Sequence, residues 1–224
     1  MKKRAASQQI RLFLVDDQPI LREGLAQLIG QESGFTVCGQ ASGGEQALKD
    51  IGSVKPDLVI LDLSLRGMNG LELIRRIKRL QPQVQILVLS MLEESLYAER
   101  ALRAGASGYV MKEAATEKLI LALRQVLDRQ IYVSQAISDK ILMKFSFPPS
   151  ELQNSPIERL SDRELEVFSL IGQGHGTQQI AKELRLSTKT VDTYREHIKI
   201  KLDLADASAL REYAIRWSKS DKLN

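Results

Sequence analysis

Acidic and basic side chains stand at the ends of short apolar runs in the first half of the chain. Asp16 and Asp17 directly follow one such run, Asp62 follows another, Ser90 ends a third, and Lys112 follows a fourth. Three neighbouring carboxylates repel one another, and a hard divalent cation such as Mg²⁺ relieves that repulsion while keeping positions free for water or phosphate oxygens. A lysine and a hydroxyl opposite the carboxylates could hold phosphoryl oxygens. The set therefore indicates an aspartate that accepts a phosphoryl group.

Each of these residues also has an ordinary structural interpretation. Asp16 or Asp17 could cap a helix that begins near Pro19, since proline favours the first helical turn. Asp62 could be a cap or a loop residue, and Lys112 a solvated surface side chain. Chemically active side chains at the ends of four different strands are harder to explain in this way, so we interpret them as one site.

Parallel strands would deliver these residues to one place. Apolar runs without polar alternation, typical of strands buried on both faces, occur at Arg11–Val15, Phe35–Ala41, Leu58–Leu61, Gln85–Leu89 and Ala106–Val110. Helical spacing of apolar residues follows at Ile20–Gln31, Gly44–Ile51, Leu71–Leu80, Ser95–Ala104 and Thr116–Arg129. These strand–helix pairs predict one doubly wound α/β domain over residues 10–130. In the sheet order 2-1-3-4-5, strands 1 and 3 are neighbours, which brings the aspartates into one crevice.

The chain changes character after this domain. Residues 131–158 combine a helical stretch, Ser134–Phe145, with a proline-containing segment, Phe147–Pro156, that we interpret as an extended linker. The helical stretch either packs on its own α/β domain or pairs with a second copy. Apolar spacing then predicts helices, and no strand, at Ser161–Gly172, Thr177–Leu184, Thr188–Leu202 and Asp206–Ser218. The second and third of these, joined by a short break, indicate a helix-turn-helix.

The helix predicted at Thr188–Leu202 has two different faces. Its apolar side, which must face the core, carries Val191, Tyr194, Ile198 and Leu202. Its opposite side carries Lys189, Thr193, Glu196 and Ile200, with Asp192 beside them. Taken alone, this pattern is as compatible with an ordinary bundle helix as with a helix that reads DNA.

Composition narrows the class of protein. The 224 residues include 32 Lys and Arg against 28 Asp and Glu, a net charge of +4 that is too small to identify a nucleic-acid partner. The single cysteine, Cys38, excludes an intramolecular disulfide and a multi-cysteine metal site, and fits a reducing compartment. No apolar run approaches the length of a signal peptide or a membrane span. We therefore expect a cytoplasmic protein without a membrane partner.

Residues 10–130 resemble the receiver domain of bacterial response regulators. The resemblance rests on Val15-Asp16-Asp17, Leu61-Asp62-Leu63, Leu89-Ser90 and the segment from Ala104 to Lys112. It implies a flavodoxin-like (βα)5 fold, phosphorylation of Asp62 by a sensor histidine kinase, and Mg²⁺ held by the three aspartates and the backbone carbonyl of Ser64. It also implies that Lys112 contacts the phosphoryl group, that Ser90 is drawn towards it, and that Tyr109 turns inward on phosphorylation.

The loop after Asp62 departs from the family pattern. It has the sequence Ser64-Leu65-Arg66-Gly67-Met68-Asn69-Gly70, with Leu65-Arg66 where the family usually has Met-Pro. A loop without that proline is expected to be less restrained.

Residues 159–221 resemble the all-α, four-helix LuxR-type DNA-binding domain, with the helix-turn-helix motif at residues 176–195. The resemblance rests on the segment Leu160–Val167, Ile180-Ala181, Leu184, Leu186-Ser187, Lys189-Thr190-Val191 and Lys201-Leu202. Together with the receiver it indicates the NarL/FixJ group. The second helix of the motif, predicted at Thr188–Leu202, is the recognition helix and is expected to enter the major groove of double-stranded DNA. The expected DNA-binding residues are Lys182 and Lys189 at phosphates, Thr193 and Glu196 at base edges, and Thr190, Asp192 and Arg195 beside them.

The main hypothesis is a transcriptional regulator that binds DNA as a homodimer after phosphorylation of Asp62. It is not expected to be an enzyme beyond its own phosphorylation and dephosphorylation. One alternative keeps DNA binding but makes the receiver a phosphorylation-independent dimerisation domain. Others are a flavin-binding module and a phosphatase of the haloacid-dehalogenase type. That phosphatase family requires Asp-x-Asp after its first strand, whereas Asp16 and Asp17 are adjacent.

Overall fold

A parallel five-stranded sheet forms the centre of the N-terminal unit in the computed structural model, which describes residues 9–114, 116–147 and 155–220. Its order, β2-β1-β3-β4-β5, confirms the predicted one. The strands are β1 (Ile10–Val15), β2 (Phe35–Ala41), β3 (Leu58–Leu61), β4 (Gln85–Ser90) and β5 (Gly108–Met111). The helices that follow them are α1 (Pro19–Gln31), α2 (Gly44–Val54), α3 (Gly70–Leu80), α4 (Glu94–Ala104) and α5 (Thr116–Leu127). The chain divides into two compact units, Met1–Leu142 and Met143–Asn224.

The register of the central strands determines where the acidic residues lie. Val15, the last residue of β1, pairs with Leu61, the last residue of β3, so that Asp16 and Asp62 leave the sheet side by side. Every residue of β3 and β4 is buried, which is why these strands have continuous apolar sequences. On one face of the sheet, the strands pack against apolar side chains of α1 and α5.

The last strand begins later than predicted. A strand was expected at Ala106–Val110, but β5 begins at Gly108. Gly105 caps the C-terminus of α4 with a left-handed φ of 112°, and the Ala106 amide donates to the carbonyl of Ala101 at 2.9 Å. This helix-ending hydrogen bond removes Ala106 from the strand ladder.

After α5 the chain returns to the edge of β5. Tyr132 accepts a hydrogen bond from the Tyr109 amide at 2.8 Å and donates its own amide to the Ser107 carbonyl at 3.0 Å. This isolated parallel bridge, centred on Gly108, pairs backbone groups that an edge strand otherwise leaves open.

Helix α6 (Gln135–Ser146) then begins against α4. The Ser134 amide donates to Glu94 Oε1 at 2.8 Å, and Ile137 is buried. The first turns of the predicted linker helix therefore pack on their own α/β domain. Of the predicted extended linker, residues 148–154 lie outside the described part of the chain, and the domain boundaries stay predictions.

The described part of the second unit is helical, as predicted. A short 3-10 helix (Pro156–Arg159) precedes α7 (Asp162–Gly172), α8 (Thr177–Leu184), α9 (Thr188–Leu202) and α10 (Ala207–Ser220). Phe168 of α7 is fully buried, and its ring lies 5.5 Å from that of Trp217 on α10. The core of this unit thus joins its first and last long helices.

The turn between α8 and α9 has the geometry of a helix-turn-helix. Arg185 caps the C-terminus of α8 in a left-handed conformation with a φ of 54°. The side chain of Ser187 then caps α9 by accepting the Thr190 amide at 3.0 Å, as its residue type predicts. No helix in residues 9–114, 116–147 or 155–220 is long and apolar enough to cross a membrane.

Candidate functional site

Three carboxylates meet at the carboxyl edge of the sheet. One oxygen from each of Asp16, Asp17 and Asp62 lies within 4.8 Å of the others. Asp16 and Asp62 are buried, whereas the side chain of Asp17 keeps 16% of its surface exposed. The N-cap of α1 is Gln18, whose side chain makes no capping hydrogen bond. The alternative interpretation of Asp16 or Asp17 as the helix cap is therefore wrong.

Lys112 is the central cation of this cluster. Its Nζ lies 2.8 Å from Asp16 Oδ2 and 2.7 Å from Asp62 Oδ2, and only 5% of its side chain is exposed. Burial lowers the pKa of a lysine, but the hydrogen bonds and charges of Asp16 and Asp62 outweigh burial, so the pKa of Lys112 is raised. Lys112 is therefore charged at neutral pH and balances part of the negative charge.

The other oxygen of Asp62 has two further donors. Ser90 Oγ donates to Asp62 Oδ1 at 2.8 Å, and the Ser64 amide donates to the same oxygen at 3.0 Å. A phosphoryl group bonded to Asp62 would consequently lie within reach of the Ser90 hydroxyl and the Lys112 ammonium. Ligation of a metal by the Ser64 carbonyl stays a prediction.

Tyr109 lies inward in this structure. Its side chain is buried, and its hydroxyl donates to the Leu92 carbonyl at 2.6 Å. Burial, with a smaller contribution from Tyr97, raises the pKa of Tyr109 well above its ordinary value, so the hydroxyl stays a donor. The sequence predicts this inward position for the phosphorylated protein, and the turn of Tyr109 on phosphorylation stays a prediction.

Two arginines contact the acidic residues and were not predicted as site residues. Arg22 of α1 donates to the backbone carbonyl of Asp16 at 2.6 Å, and Arg66 Nε lies 3.2 Å from Asp17 Oδ2. Burial raises the pKa of Asp17, and Arg66 partly opposes that rise. The sequence signal for Arg66 was its place in the loop that departs from the family pattern. A signal for Arg22 was its position in the second turn of a helix that starts beside Asp16.

The donor set fits a hard divalent cation. The clustered ligand atoms are all carboxylate oxygens, which suit Mg²⁺ better than softer transition metals. Lys112 and Arg66 neutralise part of the charge that such a cation would otherwise balance.

The second candidate site is the exposed surface of the helix-turn-helix. Lys182 on α8 is exposed, and so are Lys189, Asp192, Thr193 and Glu196 on α9. On the opposite side of α9, Val191 and Ile198 are fully buried while Tyr194 and Leu202 are half-buried, which confirms the predicted core face.

Several predicted DNA-binding residues make contacts within the protein. Arg195 is half-buried and donates to Thr177 Oγ1 at 3.4 Å. Thr190 shares a hydroxyl–hydroxyl hydrogen bond of 2.7 Å with Ser187. Thr193 also uses its hydroxyl internally, donating to the Lys189 carbonyl at 3.0 Å.

A buried carboxylate connects α7 to α9. Glu164 accepts the Ser161 amide at 2.7 Å and completes a capping box. The same carboxylate accepts from Lys201 at 2.6 Å and lies 3.6 Å from His197 Nδ1. Burial would raise the pKa of Glu164, but the hydrogen bonds from Lys201 and Ser161 outweigh burial and lower it.

Comparisons with known proteins cover both units. The model described as response regulator receiver domain matches residues 12–124, and the model described as bacterial regulatory proteins, luxR family, matches residues 158–214. The chain is 37% identical to response regulator GacA of Pseudomonas aeruginosa over 212 residues, which are 95% of this chain and 98% of that protein. It is 34% identical to oxygen regulatory protein NreC of Staphylococcus haemolyticus, over 92% of this chain and 97% of that protein. The structure of RcsB from Salmonella enterica serovar Typhimurium, bound to promoter rprA in the presence of phosphomimetic BeF3⁻, matches with a TM-score of 0.64 and 26% identity, over 92% of this chain and 98% of that chain.

Proposed function

The chain belongs to the response regulators of the NarL/FixJ group, which join a receiver domain to a luxR-type DNA-binding domain, and from this premise we propose that phosphorylation of Asp62 controls its binding to DNA. The observation that carries the proposal is the position of Asp62, a buried carboxylate with Lys112 2.7 Å from one oxygen and Ser90 2.8 Å from the other. We expect this regulator to act in the cytoplasm with a sensor histidine kinase as its phosphodonor.

In the proposed reaction, an oxygen of Asp62 attacks the phosphorus atom of a kinase phosphohistidine or of a small acyl phosphate. The bond between phosphorus and the donor breaks, the donor leaves with the electron pair, and an acyl phosphate forms on Asp62. When bound by Asp16, Asp17, Asp62 and the Ser64 carbonyl, Mg²⁺ supplies positive charge to the phosphoryl oxygens. Lys112 contacts one phosphoryl oxygen and the Ser90 hydroxyl donates to another.

The signal is proposed to leave the site through the segment that follows β4. Ser90 Oγ accepts the Leu92 amide at 3.4 Å, and the Leu92 carbonyl accepts the Tyr109 hydroxyl. If the Ser90 hydroxyl turns from Asp62 to a phosphoryl oxygen, both of these contacts of Leu92, just before α4, change. We propose that this shifts an existing equilibrium between two states towards the one that dimerises and binds DNA.

The N-terminal half of α9 is proposed to enter the major groove. Lys182 and Lys189 would contact phosphates, and Thr193 and Glu196 would face base edges. Arg195, which donates to Thr177, would reach only a flanking phosphate by leaving that partner. Since this surface carries few cations and the acidic Asp192, we propose that two modules on a twofold site provide tight binding.

Asp62→Asn tests the proposal because asparagine is nearly isosteric but not nucleophilic. The protein is incubated with acetyl phosphate and Mg²⁺ and analysed by phosphate-affinity electrophoresis, with Asp128→Asn, a change at an exposed carboxylate after α5, as the matched control. We expect the parent and Asp128→Asn to be labelled and Asp62→Asn to remain unlabelled. Equal labelling of Asp62→Asn would exclude it as the acceptor.

The labelled parent should also bind its DNA site more tightly than Asp62→Asn does. Equal DNA affinity before and after labelling would favour the phosphorylation-independent receiver. The family is one of DNA-binding regulators, and we propose that the protein does not turn over an external phosphomonoester. Release of phosphate from such a substrate, lost in Asp62→Asn, would instead favour the phosphatase alternative.

A further inference from the structure

Two cations that contact carboxylate oxygens of the site, Arg66 and Lys112, differ greatly in exposure. Its Nε lies 3.2 Å from Asp17 Oδ2, yet 77% of the Arg66 side chain is exposed. Lys112 is only 5% exposed and contacts both Asp16 and Asp62. An ion pair with so exposed a guanidinium gains little free energy, because water competes for the charge of the arginine. Arg66 can therefore leave its carboxylate at far lower cost than Lys112 can.

The loop around Arg66 holds its backbone in place. Leu65 and Met68 are buried on either side of it, and a Cβ added at Gly44 would lie 2.6 Å from the Met68 sulfur, which reflects close packing on α2. Asn69 caps α3 by accepting the Leu71 amide at 3.0 Å. The loop is thus anchored on both sides of Arg66, and its lesser restraint relative to a loop with the family's proline stays a prediction. Arg66 is directed outward between its two buried neighbours.

Asp17 differs from the other two carboxylates in how its oxygens are used. Asp16 accepts the Gln18 amide on Oδ1 and contacts Lys112 with Oδ2. Both oxygens of Asp62 are also hydrogen-bonded to groups in the core of the site. The Oδ2 atom of Asp17 instead contacts the exposed guanidinium of Arg66, so it is the oxygen whose partner is easiest to replace.

We propose that Arg66 is a positioning residue that competes with the divalent cation for Asp17. Its guanidinium holds Asp17 Oδ2 in the metal-free protein and leaves that oxygen when a divalent cation binds. The concentration of metal needed to prepare the site is consequently higher than the three carboxylates alone would require. This inference rests on the proposed Mg²⁺-dependent phosphorylation of Asp62.

The test is the affinity of the full-length protein for Mg²⁺, measured by titration calorimetry. Arg66→Gln removes the charge and keeps a similar side-chain length. Arg103→Gln is the matched control, because Arg103 is 75% exposed and pairs with Glu99, which is 21% exposed, while Arg66 is 77% exposed and Asp17 is 16% exposed. We expect Arg66→Gln to bind Mg²⁺ about two- to fivefold more tightly than the parent, as expected for loss of an ion pair whose arginine is exposed. We expect Arg103→Gln to match the parent.

A second measurement separates direct competition from a general effect of charge. In the parent, the Nε–H signal of Arg66 in a nitrogen–proton NMR spectrum should shift during the Mg²⁺ titration, with the same midpoint as the calorimetric curve. Equal Mg²⁺ affinity of Arg66→Gln and the parent, equal tightening in both arginine variants, or an unchanged Arg66 signal would each overturn the inference. A parent that binds no Mg²⁺, or that binds it equally well after Asp17→Asn, would overturn the proposed metal site as well.

Discussion

Asp62 is held by three donors, and each of them has a different part in the proposed mechanism. Lys112 balances the charge of the carboxylate, which would be costly to bury without a partner. The Ser64 amide, 3.0 Å from Asp62 Oδ1, orients the carboxylate from the following loop. Ser90 reaches the same oxygen with a hydroxyl that can turn to another acceptor. Of the three, Ser90 is therefore the donor best suited to report the change at Asp62.

Ser90→Ala should separate phosphorylation from the response to it. Asp62 and Lys112 remain, so we expect labelling by acetyl phosphate to continue, while dimerisation and tighter DNA binding are strongly reduced. Phosphate-affinity electrophoresis measures the first and sedimentation velocity the second. Ser107→Ala is a suitable control, since Ser107 Oγ hydrogen-bonds to Gln85 at the opposite end of β4. A full response from Ser90→Ala would remove the hydroxyl from the mechanism.

Thr193 should read DNA through its methyl group. Its hydroxyl is bonded to the Lys189 carbonyl, which leaves the methyl as the apolar contact for a thymine. In a selected site, replacing that thymine by uracil should weaken parent binding about fourfold, the value of one buried methyl group. Thr193→Val should keep this discrimination and Thr193→Ser should lose it. Loss in Thr193→Val with retention in Thr193→Ser would show instead that the hydroxyl reads the base.

The site residues at strand ends could be predicted from the sequence, whereas several of their partners could not. Asp16, Asp17 and Asp62 follow apolar runs whose parallel register brings them together. The contact of Arg66 with Asp17 depends on how the intervening loop is anchored, and that of Arg22 depends on the rotation of α1. Neither the anchoring nor the rotation follows from residue type and spacing.

At the scale of elements, Glu164 fixes the position of the recognition helix. This buried carboxylate belongs to the capping box of α7, and Lys201 near the end of α9 donates to it. The Glu164 side chain thus stabilises the start of α7 and holds α9 against it. Any change in that carboxylate should therefore affect the helix that is proposed to enter the groove.

Glu164→Gln should lower the free energy of unfolding of the C-terminal unit by about 1–2 kcal/mol, because glutamine can still accept from Ser161 but loses the charged hydrogen bond with Lys201. Urea denaturation at neutral pH measures the loss. Glu196→Gln removes the same charge from an exposed side chain, which pairs with Lys199, and should cost less than about 0.5 kcal/mol. Equal losses of unfolding free energy in the two variants would show that the burial of Glu164 does not increase the contribution of its carboxylate to stability.

The loss of stability caused by Glu164→Gln is expected to depend on pH. Because the pKa of Glu164 is lowered in the folded protein, its contribution is fully present above the ordinary glutamate pKa of about 4.3 and is lost as the pH falls through the lower folded value. The difference in unfolding free energy between the parent and Glu164→Gln should therefore shrink with acidification. A difference that grows below pH 4 would contradict the assignment.

Helix α6 is attached to the proposed switch region through Glu94, the first residue of α4. Glu94→Ala removes the acceptor of the Ser134 amide, so we expect faster hydrogen exchange over residues 134–140, measured by mass spectrometry. Glu99→Ala changes the same charge on the same helix, where Glu99 pairs with Arg103, and should leave that segment unchanged. Unchanged exchange in Glu94→Ala would mean that the Glu94 contact does not protect the start of α6.

The elements themselves were largely predictable because their signals are local. Apolar runs and helical spacing come from consecutive residues, and the caps at Ser161 and Ser187 are local as well. The later start of β5 follows from a hydrogen bond that ends α4, and the bridge at Tyr132 joins segments that are distant in sequence. The bridge to Tyr132 is not visible in any short window of the chain, and the apolar pattern of a strand does not show the local bond that ends α4.

At the scale of the whole molecule, the charge of the DNA-binding surface limits the DNA affinity of each DNA-binding domain. The exposed face of α9 carries Asp192 and Glu196 as well as Lys189. Lysines at phosphates release counterions, so few of them give a weak dependence of binding on salt. Two modules on one DNA site would double that contribution, which links dimerisation to affinity.

Lys182→Ala should weaken binding to all DNA sequences alike. For each module we expect the slope of log affinity against log salt concentration to fall by about 1, measured by fluorescence anisotropy. Lys118→Ala, a change at an exposed lysine on α5, should leave the slope unchanged. Glu196→Ala should instead change the preferred sequence. If Lys182→Ala altered sequence preference and Glu196→Ala did not, the proposed orientation of α9 would be wrong.

Trp217 gives the molecule a natural optical label. It is the only tryptophan of the chain, and it packs against Phe168 within the C-terminal unit. Tryptophan emission therefore follows the melting of that unit alone, whereas far-ultraviolet circular dichroism records the helices of both. A single heated sample yields two transition curves without any attached dye. The difference between the two midpoints would reveal how strongly the two units are thermodynamically coupled. A change in that difference on addition of acetyl phosphate would reveal whether phosphorylation alters the coupling.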